Sequence, residues 1–250
     1  CQTLNGYSFS GNDVLAVGTQ AMYCGNGGGG NTAIGNYAFL YSNNGMYCNT
    51  SLGACAGPGA YGGGGNASNN IAIGVAALSG GCCAGRNVVI GDGAGALTSG
   101  CCNVVVGYAS LSYNAQNASC NTLVGASIMS NTVGTGVTGN VGVGWAALCI
   151  NRASSNTAVG TSALQANTTG GLNTAVGTLS MQANTRGCQN TAVGACALYA
   201  NVSGCLNAAV GSNALQGNTT GNSNTAVGNN ALLCNTGGTN NAALGAFALQ

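Results

Sequence analysis

Apolar and polar positions recur along this chain on a short, fixed beat. From Asn156 the sequence reads NTAVGTSALQANTTGGL, NTAVGTLSMQANTRGCQ, NTAVGACALYANVSGCL, NAAVGSNALQGNTTGNS and NTAVGNNALLCNTGGTN, five successive units of equal length. Anchoring on the glycine of the NTAVG element extends the series to fourteen copies. These glycines are Gly18, Gly35, Gly53, Gly74, Gly91, Gly107, Gly125, Gly144, Gly160, Gly177, Gly194, Gly211, Gly228 and Gly245. Their spacing is regular after Gly160 and uneven before it, longest from Gly53 to Gly74 and shortest from Gly91 to Gly107 and from Gly144 to Gly160. A short period that occupies the whole chain is the signature of stacked repeats, here one domain over 1–250.

Each column of the repeat has its own chemistry. The residue before the anchor glycine is Val, Ile or Leu in every copy, from Val17 and Ile34 to Leu244. Two positions earlier, on the same side of a strand of period two, Thr alternates with Leu15, Ile71, Val88, Val104 and Val141. These two columns are expected to face the interior of their own coil. Four residues after the glycine stands Leu in eight copies, Met at Met22, Met129 and Met181, and Phe at Phe39, which supplies an opposing wall. The unit therefore reads as strand (NTAVG), corner glycine, short strand (ALQ) and a Gly- and Asn-rich loop.

One such unit cannot bury its apolar face, whereas neighbours stacked in register at about 4.8 Å do so. The expected architecture is all-β: a β-solenoid (β-roll) of about fourteen coils, making a rod of roughly 65–70 Å at that spacing. Helical repeats are the alternative solenoid and are disfavoured, because so short a unit, rich in Gly, Asn and Thr, does not supply two helices of useful length. The residue two before each glycine points away from the assigned core, yet it is mostly Ala (Ala16, Ala33, Ala72, Ala158, Ala175, Ala192), with Val89, Val105 and Leu123. A strand apolar on both faces is covered on both. That column is expected to pack against another chain, with a loop of the same chain as the alternative.

Asparagine stands four residues before the glycine in thirteen of fourteen copies, among them Asn156, Asn173, Asn190, Asn207, Asn224 and Asn241. Stacked amides can hydrogen-bond from coil to coil, and Asn also tolerates turn conformations. Both readings make the column structural.

At NTAVGxxALxxN, as from Asn156 to Leu164, the sequence resembles the head repeats of trimeric autotransporter adhesins and the repeats of phage and giant-virus fibre proteins. The resemblance covers nearly all of the chain. It implies a β-roll that commonly trimerises and serves in attachment or as a spacer. The regular 17-residue unit and the fourteen cysteines depart from that pattern.

Charge narrows the function classes. Only Asp13, Asp92, Arg86, Arg152 and Arg186 are charged, and Lys, Glu and His are absent, where an average chain is about a quarter charged. Three dispersed arginines cannot neutralise a phosphate track, so nucleic-acid binding is not expected. General acid–base catalysis has almost no candidate groups, and the expectation is a non-enzyme without cofactor. GTGVTG, from Gly134 to Gly139, matches a dinucleotide fingerprint but opens no helix and lacks the following acidic residue. No apolar run approaches the ~20 residues that span a bilayer. So neutral a chain has little electrostatic barrier to self-association.

Fourteen cysteines ask for a framework reading. Cys188 and Cys205 lie six before their glycines, and Cys102 and Cys120 lie five before theirs. Equal phase in successive coils suits the ~4.4–6.8 Å Cα separation of a disulfide, and disulfides imply an extracellular setting, at a cell or virion surface. A four-thiolate metal site from Cys82, Cys83, Cys101 and Cys102 is the alternative, although the chain has neither CxxC nor His. If the start of one molecule follows the end of another, Cys1 falls six after Gly245, the phase of Cys234 after Gly228 and of Cys24 after Gly18. End-to-end stacking with a Cys1–Cys234 bridge is therefore expected, in competition with a Cys1–Cys24 bridge within one chain. N-glycosylation sequons occur at Asn49, Asn66, Asn117, Asn167, Asn201 and Asn218.

The functional expectation is a building block of an extracellular fibre or appendage, self-associating as a trimer or head-to-tail filament. An adhesin shaft is the competing reading. So is an ice-binding solenoid displaying the Thr column (Thr32, Thr50, Thr122, Thr157, Thr174, Thr191, Thr225), although that column shares the parity assigned to the core.

Overall fold

The computed structural model describes residues 13–25, 28–42, 45–58, 66–80, 85–96, 99–112, 115–132 and 134–250. The described residues form strands and turns, with no helix among them. The chain divides into two compact units, Cys1–Ala126 with Val133–Val137, and Ser127–Thr132 with Thr138–Gln250.

Each unit carries seven parallel strands, one per coil, so the fold is the expected all-β solenoid. In the first unit they are Leu15–Val17, Thr32–Ile34, Thr50–Leu52, Ile71–Ile73, Val88–Ile90, Val104–Val106 and Thr122–Ala126. In the second they are Val141–Trp145, Thr157–Val159, Thr174–Val176, Thr191–Val193, Ala208–Val210, Thr225–Val227 and Ala242–Leu244. Like residue stacks on like: Thr157 pairs with Thr174, Ala158 with Ala175 and Val159 with Val176. Longer loops in the first unit add two small parallel pairs, Cys24–Gly25 with Tyr41–Ser42 and Ala115–Gln116 with Gly134–Thr135.

The structure reverses the expected facing of these strands. The alanine column is the interior: Ala33, Ala72, Ala158, Ala175, Ala192, Ala209 and Ala226 are all fully buried, as are Val89, Val105 and Leu123. The columns on either side of it point outward, with Leu15, Val17, Leu52 and Ile71 each at least 40% exposed. The physical reason is thickness. So short a coil brings its strand close to its opposite wall, where Ala163, Leu164, Ala197 and Leu198 are fully buried. The space between them takes alanine in most coils and Val89, Val105 or Leu123 in three, so the column expected to pack laterally is the coil's own core.

The ALQ segment is a second correction, because it is not a strand. Residues two and four after each glycine adopt left-handed conformations, as at Ser162 (φ 55) and Leu164 (φ 49). A left-handed L-residue costs roughly 1–2 kcal/mol. The resulting backbone nonetheless turns the N–H groups of these two left-handed residues to opposite neighbouring coils. Ser162 donates to the Trp145 carbonyl at 2.9 Å in the preceding coil, and Leu164 to the Ser180 carbonyl at 3.0 Å in the following one. Those bonds, with burial of the Leu side chain worth roughly 2 kcal/mol, offset the local preference.

The anchor glycine is required twice over. Gly177 has φ +134, and a Cβ there would lie 2.5 Å from the Gly194 carbonyl oxygen of the next coil. Close backbone stacking and a conformation that side chains disfavour coincide at one position.

Candidate functional site

Three parts of the repeat carry its chemistry: the asparagine columns, the cysteines and the outer face of the strands.

The asparagine column before the strands is buried along both units, with Asn87, Asn103, Asn121, Asn140, Asn156 and Asn224 at 0% exposure. Each side chain works in both directions along the stack. The Oδ1 of Asn173 accepts the backbone N–H of Asn190 at 3.0 Å and its Nδ2 at 3.2 Å. Asn190 Nδ2 also donates to the Gly204 carbonyl at 2.8 Å. The same pattern repeats from Asn190 to Asn207, from Asn207 to Asn224, and in the first unit from Asn31 to Asn49. Asn241 donates its backbone N–H to Asn224 Oδ1 at 3.0 Å. A buried amide with a place for each donor and acceptor avoids the desolvation penalty of an unpaired polar group.

A second ladder was missed in the sequence. Asn151, Asn167, Asn184, Asn201 and Asn218 are also at 0% exposure. Asn184 Nδ2 donates to Asn167 Oδ1 at 2.8 Å and to the Gly187 carbonyl at 3.0 Å, and Asn201 repeats this on Asn184 and Gly204. The signal is an Asn at the seventh position after each glycine from Gly144 to Gly228. In a loop rich in Asn and Gly, composition and sequons mask it.

Cys188 and Cys205 are half-buried, stand one coil apart as their phase requires, and bring their Sγ atoms to 2.8 Å as free thiols. The Cys205 hydrogen bond, with a smaller contribution from burial, holds the Cys188 thiol above its ordinary pKa. Cys102 and Cys120 are exposed free thiols. Cys102 is held above the ordinary thiol range first by a hydrogen bond with Cys101, then by desolvation and by the charges of Cys101 and Cys120, against the opposing charge of Arg86. Cys234 is an exposed free thiol. Cys1, Cys82 and Cys83 lie outside the described residues, and Cys24 is described only in its backbone pairing with Tyr41. Among the described residues no cluster of three or more His, Cys, Asp or Glu side chains is arranged to hold a metal ion. Gly134 and Thr135 of the dinucleotide-like segment form one of the short strand pairs.

The outer face of the strands bears two parallel columns. One is wholly aliphatic, as in Val143, Val159, Val176, Val193, Val210, Val227 and Leu244 of the second unit. The other alternates Thr with aliphatic residues, and Thr191 and Thr225 on it are exposed. In that unit the stripe runs about 30 Å at the inter-strand spacing. All five charged side chains of the protein are exposed, but they sit in the turns and loops, and none stands on these strands.

No protein-family model matches the chain, and no curated protein or solved structure matches it.

Proposed function

We propose that the protein is a structural building block of an extracellular fibre or appendage, self-associating through the outer face of its strands and stapled by disulfides. The observation that carries this reading is the uncharged, partly exposed aliphatic column repeated on every coil. Contiguous exposed apolar surface of this kind marks an interaction site. A second copy of the chain is the partner that suits it, because two nearly neutral surfaces meet without desolvating charge. The contact also grows with each coil added. One unit's stripe, about 30 Å long and roughly 10 Å wide, covers on the order of 300 Å² and falls short of the roughly 800 Å² per partner of a standard interface, so stable association draws on many coils at once. The resemblance to fibre and adhesin-head repeats points the same way, and the abundance of cysteine favours an oxidising exterior.

Light scattering after size exclusion, with electron microscopy of the same fractions, tests the reading. Oligomers or filaments are expected for the natural sequence. Val193→Lys with Val210→Lys, which place two charges in the stripe, shift it to monomer. A natural sequence that stays monomeric at high micromolar concentration refutes the proposal.

One observation favours a second reading. The Thr column faces outward, so the parity argument against an ice-binding face no longer holds. Thermal hysteresis by the monomer, lost in Thr174→Lys with Thr191→Lys, would establish that activity instead.

A further inference from the structure

The six sequons fall into three positions of the repeat, and the structure treats them differently. Asn49 belongs to the first ladder, while Asn167, Asn201 and Asn218 belong to the second; all four are at most 1% exposed. Asn66 and Asn117 share a third position, eight before their glycines, and both are exposed.

N-glycosylation transfers a glycan from a lipid pyrophosphate donor. The bond from the anomeric carbon to the phosphate oxygen breaks, a bond from that carbon to Nδ2 forms, and Nδ2 gives up one proton. The product amide keeps a single N–H and carries a pyranose ring where the other was. In the four buried sequons both Nδ2 hydrogens are engaged. Asn167 Nδ2 donates to Asn151 Oδ1 and to the Gly170 carbonyl, each at 2.7 Å. Asn201 Nδ2 donates to Asn184 Oδ1 at 2.8 Å and to the Gly204 carbonyl at 3.0 Å. Asn218 Nδ2 reaches Asn201 Oδ1 and the Gly221 carbonyl, both at 3.1 Å, and Asn49 Nδ2 reaches Asn31 Oδ1 at 3.1 Å and the Ala67 carbonyl at 2.9 Å. A glycan on any of these nitrogens removes a ladder bond and places a sugar inside the stack. Asn117 differs: its backbone N–H and Oδ1 meet the Ser99 hydroxyl, while its side chain stays at the surface.

We infer that the folded protein accepts N-linked glycans at Asn66 and Asn117 alone, and that its natural route to the exterior does not present the unfolded chain to N-glycosylation. The transferase of a glycosylating secretory compartment acts on chains before they fold, so each ladder sequon would be modified before its coil could stack. Selective glycan acceptance rests on the ladders alone, whereas the excluded secretory route rests also on the proposed extracellular location.

The test compares the chain made in bacterial cytoplasm with the chain secreted by a glycosylating eukaryotic cell. A variant carrying Ser51→Ala, Thr169→Ala, Ser203→Ala and Thr220→Ala removes the four sequons and keeps every ladder asparagine. Made in bacteria, this variant is expected to melt no lower than the natural sequence. In the secretory cell, peptide mapping of the soluble, protease-resistant fraction should find glycans at Asn66 and Asn117 only, and the variant should raise the yield of that fraction several-fold. Folded, protease-resistant protein with a glycan at Asn49, Asn167, Asn201 or Asn218 would overturn the inference. So would equal secreted yields of the two sequences.

Discussion

Replacing one buried ladder asparagine by alanine isolates what the ladder contributes. In Asn190→Ala four hydrogen bonds disappear: Asn190 Nδ2 to Asn173 Oδ1 and to the Gly204 carbonyl, and the Asn207 backbone N–H and Nδ2 to Asn190 Oδ1. Some groups left behind are still paired. The Gly204 carbonyl keeps Asn201 Nδ2 at 3.0 Å, and Asn207 Nδ2 keeps the Gly221 carbonyl at 2.8 Å. The Asn207 backbone N–H is left with no acceptor in a buried position. Four bonds at roughly 1 kcal/mol each, with a further penalty for that orphaned donor, put the loss at about 5 kcal/mol. Asn229→Ala is the control. Asn229 is exposed and its side chain makes one bond of 3.4 Å to the Ser212 carbonyl, so its loss stays below about 0.5 kcal/mol. Urea unfolding followed by circular dichroism measures both, with hydrogen exchange at Asn207 reporting local opening where the repeat array does not unfold as one unit. Asn190→Asp adds a pH signature. Its second oxygen would face Asn173 Oδ1 and the Gly204 carbonyl, so the folded state holds the acid protonated and its pKa above the unfolded value. The stability of this variant is therefore retained below about pH 4 and lost as pH rises. A loss under about 1 kcal/mol in Asn190→Ala would refute the ladder as a stabilising element.

Three further outcomes follow from single positions. Gly177→Ala should lose about 3 kcal/mol or more in urea unfolding, since its φ of +134 and the Gly194 carbonyl oxygen 2.5 Å from the new Cβ act together. Ser51→Ala should raise stability by about 1 kcal/mol in thermal melts, because Ser51 Oγ is buried in the alanine column without a partner; a lower melting temperature would count against that assignment. Mild oxidation should consume the Cys188 and Cys205 thiols as a pair and add about 3 kcal/mol for closing a loop of this length, read by non-reducing peptide mapping and urea unfolding. In the reduced protein the raised Cys188 pKa favours folding below the ordinary thiol value of 9.0, and that contribution is lost as pH climbs beyond it. The oxidised form should show no such decline from this pair.

Much of the architecture was legible in one dimension. The recurrence of NTAVG, an aliphatic residue before each glycine and an Asn four before it are all spacings, and a spacing that repeats in sequence repeats in space once coils stack in register. The equal phase of Cys188 and Cys205 brought their thiols together for the same reason. Glycine at the corner was also legible, although the sequence did not show that a Cβ at Gly177 meets the next coil's backbone.

Which face of the strand points inward was decided by the tertiary structure. Period two divides the strand residues into two sets, and here both sets carry an apolar column, so hydrophobicity alone could not choose between Val159 and Ala158. Volume chose. With Leu164 and Ala163 on the opposite wall, the coil leaves room for Ala158 and Val159 stands outside, while Val89, Val105 and Leu123 fill the same inner column in three other coils. The left-handed turns at Ser162 and Leu164 were hidden for a related reason. Local propensity disfavours them, and only hydrogen bonds to the coils before and after, absent from an isolated unit, make that backbone the favourable one.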